Sequence, residues 1–165
     1  VVNTDAEGRI ILADAISFGV KRFKPAMIAD VATLTGAAIS ALGQRAIALF
    51  TNTPAMEDFF RELGETSGDY VWPLPLWEEY EEEIKGTFGD LANVGKTKYG
   101  GAITAALFLK EFVDNRPWLH LDIAPTMTSI EGQGLAKGAT GTGTRYLIKL
   151  AESFPEIKKR ISQFR

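Results

Sequence analysis

Residues 26–37 read Ala26-Met27-Ile28-Ala29-Asp30-Val31-Ala32-Thr33-Leu34-Thr35-Gly36-Ala37, and this stretch decides the fold class. Residues 26–32 form a short apolar run between Pro25 and the Thr33-Leu34-Thr35-Gly36 loop, the pattern of a buried strand. A short small-residue helix follows at 37–42, then a second buried strand at 45–51. Upstream, residues 9–23 read as a buried helix. Leu12, Ile16, Gly19 and Phe23 recur at i+4, i+3 and i+4, and Ile11, Ala15 and Phe18 widen the apolar face. Lys21 and Arg22 suit the negative end of the helix dipole, and Pro25 stops the helix. Helices alternating with strands imply an α/β layered sheet.

Further along, residues 54–63 read as an amphipathic helix with Pro54 in its first turn. Trp72-Pro73-Leu74-Pro75 reads as a rigid connection. Residues 76–84 read as helical, with five glutamates between Glu78 and Glu83 as a solvated face. A long glycine-bearing loop spans 86–101, and long loops inside compact domains are often functional. An apolar helix spans 103–113. Residues 118–123 alternate as a strand, with Trp118, His120 and Asp122 on one side and Leu119, Leu121 and Ile123 on the other. Residues 124–142 are irregular, and 143–154 and 155–164 close the chain as helices, the second one basic.

Composition removes several function classes. A chain of 165 residues is long enough to bury a core, and it shows no repeats. The net charge of -3 points away from a nucleic-acid partner. The absence of cysteine excludes disulfides, thiolate metal sites and cysteine nucleophiles. No apolar run approaches the roughly 18 residues needed to span a membrane, so no membrane partner is expected. Val1-Val2 reads as the end of a strand begun upstream, which predicts a fragment or a processed chain.

The chemistry concentrates in Asn3-Thr4-Asp5-Ala6-Glu7-Gly8-Arg9. In an extended segment Asp5, Glu7 and Arg9 project from one face, an arrangement suited to hard metal ions beside a bound anion. Thr4 and Glu7 also fit a capping box ahead of an apolar helix. With one histidine and no cysteine, any metal site must rest on carboxylates, which favours manganese, magnesium or oxygen-ligated zinc.

Other motifs read as structure. Gly95-Lys96-Thr97 lacks the glycine that a phosphate-binding loop needs five positions earlier, where Asp90 stands. Residues 138–145, GATGTGTR, have the wrong glycine order for a dinucleotide fingerprint and read as a tight turn at a helix start. His120 lies inside a strand, where a hydrogen-bonded structural role is expected more than catalysis. Asp14, within an apolar helix, is expected to be a buried structural acceptor.

Residues 3–15, NTDAEGRIILADA, resemble the signature of the leucyl aminopeptidase family, also called cytosol aminopeptidases. Residues 30–37, 90–95, 101–109, 118–124 and 138–143 resemble further family blocks, in family order, so that the likeness covers residues 1 to about 150. The resemblance implies a three-layer α/β/α sandwich with a mixed central sheet, with residues 1–165 as the C-terminal portion of a single catalytic domain. It implies a metal-dependent aminopeptidase that removes N-terminal, leucine-type residues from peptides. Asp5 and Glu7 would bind two divalent ions (Mn or Zn, with Mg or Co as alternatives), and Arg9 would hold a catalytic bicarbonate. Backbone groups around Thr33, Leu34 and Gly36 would hold the peptide main chain, and Ala124 and Met127 would line the first side-chain pocket. By the same resemblance the full protein is a cytoplasmic homo-hexamer.

Two departures matter. Pro125 stands where the family has glycine, which removes a backbone donor and fixes φ beside the pocket. The family's other metal ligands, a lysine and two aspartates, and its catalytic lysine precede the signature and have no counterpart here. Two hard cations want roughly ten or more ligands, and Asp5 and Glu7 offer at most about four carboxylate oxygens. The isolated chain is therefore expected to be inactive or nearly so. The competing reading is a degenerate relative of the same fold that binds without catalysis.

Overall fold

Helix α1 runs Glu7–Phe23 and ends where the sequence requires. Lys24 turns left-handed at φ 47°, its N–H is bonded to the Val20 carbonyl, and Pro25 follows. The buried stripe of α1 is Arg9, Ala13, Ile16 and Val20. Ile11, Phe18 and Phe23 are exposed, so the helix is not buried all round as its composition predicts. Asp14 lies on the exposed side, which overturns its expected role as a buried acceptor. It sits one position past Ala13, about 100° around the helix from the core stripe.

The computed structural model describes residues 6–87, 89–128 and 138–163. Four strands, β1 (Ile28–Ala32), β2 (Ile47–Thr51), β3 (Val71–Pro73) and β4 (Trp118–Asp122), form one sheet in the order β1-β4-β2-β3. β1 runs parallel to β4, β4 antiparallel to β2, and β2 parallel to β3, so the sheet is mixed. The register places Asp30 beside His120 and Ala32 beside Asp122. Every residue of β2 and β4 is buried, as central strands covered on both faces should be.

Five further helices complete the layers: α2 (Gly36–Leu42), α3 (Glu57–Ser67), α4 (Gly101–Lys110), α5 (Thr144–Glu152) and α6 (Phe154–Ile161). On one face α1, α2 and α4 pack Ile16, Val20, Ala38, Ala106 and Leu109 against Ala48, Phe50 and Trp118. On the other, α3, α5 and α6 pack Phe60, Leu63, Tyr146, Leu150 and Ile157 against Ile47, Leu49, Leu119 and Leu121. This is the three-layer α/β/α sandwich with a mixed sheet that the family resemblance implies.

Two local expectations change. Residues 71–73 pair with β2 as a strand, where the sequence reads as a connection. The Ile47 amide donates to the Tyr70 carbonyl and the Leu74 amide to the Leu49 carbonyl, at 2.8 and 2.9 Å. Pro73 is tolerated because β3 is an edge strand. Residues Glu78–Ile84 wind as a 3₁₀ helix, and only part of the glutamate run is solvated. Glu78, Glu79 and Glu82 are exposed, Glu82 in a surface pair with Lys85, whereas the half-buried Glu81 pairs with Lys110 at 3.1 Å and the half-buried Glu83 accepts from the backbone and hydroxyl of Thr97.

Candidate functional site

β1 and β4 are parallel and end side by side, and the chain leaves both ends in loops. A cleft of about 450 Å³ opens there, between the first turn of α1 (Glu7, Gly8, Arg9) and the Thr33–Leu34 segment after β1. Crevices at the carboxyl ends of strands are where open α/β sheets place their ligands. The N-cap of α1 is Ala6, whose methyl side chain accepts no hydrogen bond, and among the described residues no side chain caps the first-turn N–H groups. They leave a partial positive charge at the cleft.

Arg9 adds a full charge. It is 8% exposed. Its Nη1 donates to the Asn93 carbonyl at 2.6 Å, delivered by the glycine-bearing loop that precedes α4. Its Nε has no hydrogen-bond partner among the described residues, nor does Arg9 join any ion pair among them. Burial lowers its pKa from the ordinary arginine value, and the Asp122 carboxylate partly restores it. Arginine keeps its proton even so. A buried guanidinium fork whose Nε–H has no partner among the described residues, beside a helix N-terminus, is complementary to a small anion.

Asp122 organises the loops around it. It is 1% exposed. Oδ1 accepts from the Leu34 and Ala124 amides at 3.0 and 3.1 Å, and Oδ2 accepts from the Thr35 hydroxyl at 2.7 Å. The same hydroxyl oxygen accepts from the Ala38 amide as the N-cap of α2. One carboxylate thus fixes both strand exits and one helix start. Sequence reasoning missed this role; the only signal was an acidic residue closing an apolar strand.

The structure brings Glu7, Arg9, Thr33 and Leu34 to one cleft. Glu7 is exposed and is the first residue of α1. Thr4, the cap of the capping box that the sequence suggests, lies outside the described residues. Asp5 lies outside the described residues. Gly36 opens α2, Ala124 is buried against Asp122, and Met127 is 41% exposed just after the 3₁₀ turn Ala124–Thr126. Pro125 is buried within that turn. No group of three or more His, Cys, Asp or Glu that could hold a metal occurs among the described residues.

The remaining motifs take structural roles. His120 is fully buried, with Nδ1 2.6 Å from Asp30 Oδ1 and its ring stacked on Phe50 and Trp118. The Trp118 indole N–H donates to the other Asp30 oxygen at 2.6 Å. Gly143 occupies the left-handed N-cap of α5 at φ 82°, the tight turn expected at a helix start. Gly95-Lys96-Thr97 forms no phosphate loop; Thr97 is tied to Glu83 instead.

Comparison with known proteins gives a consistent picture. Residues 1–148 match the model of the cytosol aminopeptidase family, catalytic domain. The chain is 48% identical over 154 residues to a probable cytosol aminopeptidase of Desulfotalea psychrophila, covering 93% of this chain and 30% of that protein. It is 49% identical over 152 residues to another from Solibacter usitatus, with 92% and 31% covered. Among solved structures, a tomato leucine aminopeptidase variant superposes with a TM-score of 0.82 at 43% identity, over 90% of this chain and 29% of that one. The chain thus spans about 30% of the length of the curated relatives it matches.

Proposed function

Because this chain belongs to the cytosol aminopeptidase family, we propose that it forms one wall of a metal-dependent aminopeptidase site acting on leucine-type N-terminal residues of peptides, in the cytoplasm. The observation that carries the proposal is Arg9, a buried guanidinium with an unpartnered Nε among the described residues, in the same cleft as Glu7, Thr33 and Leu34.

That geometry fits a bicarbonate held by Arg9 and the first turn of α1. The fit to a metal pair is partial. Glu7 presents an exposed carboxylate at the cleft and Asp5 precedes it by two residues. The other ligands must come from water and from residues of the full protein outside these 165. Glu7 and Asp5 would hold ions that would supply Lewis acidity for the scissile carbonyl and for a water, and Arg9 would hold a bicarbonate that would supply a general base. Arg9 fixes where that anion sits. Asp122 holds the Leu34 and Ala124 amides, so Leu34 meets a peptide main chain through its carbonyl rather than its N–H. Thr33 and Gly36 flank it, and Ala124 and Met127 bound the side-chain pocket. The 165 residues alone hydrolyse little or nothing, for want of metal ligands.

Hydrolysis of leucine p-nitroanilide by the full polypeptide carrying this chain, with Mn²⁺ or Zn²⁺, tests the reading. Activity is expected, lost on chelation, with kcat reduced about a hundredfold in Arg9→Ala if the anion acts as general base. Absence of turnover with either metal overturns the proposal and leaves the non-catalytic, peptide-binding alternative.

A further inference from the structure

The Arg9 guanidinium is buried, and the Asn93 carbonyl that it contacts belongs to a loop 84 positions away in sequence. The orientation of its remaining N–H groups therefore depends on what holds that loop. Three of the fastenings are backbone bonds: the Ala92 amide to the Ile84 carbonyl at 2.8 Å, the Lys96 amide to the Glu83 carbonyl at 3.0 Å, and the Gly86 amide to the Asp90 carbonyl at 3.2 Å, the last at a glycine where a Cβ would clash with the Gly89 carbonyl. A fourth is made by a side chain. Glu83 Oε2 accepts from the Thr97 amide at 2.9 Å and from the Thr97 hydroxyl at 3.0 Å.

The Glu83 carboxylate is lodged against the loop rather than lying over it. A Cβ added at Gly95 would meet Glu83 Oε2 and Thr104 Cγ2, each at 3.3 Å. Its neighbours in the run make ion pairs, Glu81 with Lys110 and Glu82 with Lys85 and Lys96. Glu83 makes none among the described residues, and the donors it accepts from there are both on Thr97. We infer that Glu83 is a positioning residue for Arg9: by clasping Thr97 it sets the loop conformation that presents the Asn93 carbonyl to the guanidinium. The inference rests on the reading of Arg9 as the anion holder. Misplacing a binding group by about an ångström is enough to impair a site.

The test uses the full polypeptide carrying this chain, loaded with Mn²⁺, in buffer depleted of carbon dioxide. Leucine p-nitroanilide hydrolysis is followed against added sodium bicarbonate for the wild type and for Glu83→Ala, Glu83→Gln and Thr97→Val. Glu83→Ala is expected to raise the half-activating bicarbonate concentration about five- to tenfold, because two hydrogen bonds to a charged acceptor are lost. The KM for the anilide should stay within about twofold. Glu83→Gln keeps an oxygen that accepts both donors and should stay near the wild type. Thr97→Val loses the hydroxyl alone and should shift the concentration about two- to threefold. An unshifted Glu83→Ala overturns the inference, as does a Glu83→Gln shifted as far as Glu83→Ala. Should Glu83→Ala fail to fold, a Thr97→Val indistinguishable from the wild type overturns it. A wild type that ignores bicarbonate defeats the reading of Arg9 itself, a distinct result.

Discussion

Replacing Asp122 by alanine measures how much of the cleft one carboxylate holds together. The substitution removes the acceptor of three donors: the Leu34 amide at 3.0 Å, the Ala124 amide at 3.1 Å and the Thr35 hydroxyl at 2.7 Å. The bonds from Ala124 and Thr35 are buried; the one from Leu34 is only partly so, and water can replace it. At roughly 1.5–2 kcal/mol for each buried bond to an ionised acceptor and about 0.5 for the wetter one, the loss is about 4 kcal/mol. Asp122 also offsets part of the desolvation of Arg9, which acts in the same direction. With a urea dependence of about 2 kcal/mol per molar, the unfolding midpoint should fall by about 2 M. Asp122→Asn should cost about 1–2 kcal/mol, because its oxygen still serves the two amides while its NH₂ meets a Thr35 hydroxyl that has lost its acceptor. Urea unfolding followed by tryptophan fluorescence reads both. A Glu- or Asp-independent cleft would show Asp122→Ala within about 1 kcal/mol of the wild type, and that result, or equal losses for the two variants, refutes the reasoning.

Asp30→Ala strands the Trp118 indole N–H and the His120 ring nitrogen in the core, and should cost roughly 2–5 kcal/mol in urea unfolding. Burial raises the pKa of Tyr146, whose hydroxyl donates to the Phe60 carbonyl at 2.9 Å, well above its ordinary value of 10.0. Above about pH 10 the unfolded chain loses this proton while the folded one keeps it. Unfolding free energy should therefore fall by about 1.4 kcal/mol per pH unit there, and Tyr146→Phe should flatten the decline. Two glycine substitutions should have opposite signs in thermal melts. Gly19→Ala enters open space inside α1 and should stabilise by about 0.5–1 kcal/mol. Gly64→Ala would set a Cβ 2.9 Å from Val71 Cγ2 and 3.0 Å from the Val71 nitrogen, and should cost about 1–3 kcal/mol.

The layered architecture was legible because its signals are local. The 3.6-residue period of α1, the apolar runs of β1 and β2, and Pro25 each act within a few residues of where they stand. β3 was not legible because a three-residue edge strand ending in proline carries no period at all. Asp14 misled because the apolar residues of α1 encircle the helix, and composition does not say which side meets the sheet. Arg9, Thr33 and Leu34 could be named from family likeness, and they do meet in the cleft. Asp122 and Asn93 could not be assigned their roles, since each acts on a partner more than 80 positions distant that only the sheet order brings near.

That sheet order has a kinetic consequence. β1 pairs with β4, whose residues follow about 90 positions later, as the Asp30–His120 contact records. On a ribosome adding roughly 5–20 residues per second, β1 waits on the order of 5–20 s for that neighbour. Loop closure over such a span is the slow kind of step, so the native pairing should lag behind formation of the local helices. The cleft needs both strands before Asp122 can reach Leu34. The parts that carry the chemistry are therefore among the last to acquire their shape, and a chaperone acting on the nascent chain would meet α1 and β1 long before there is a site to protect.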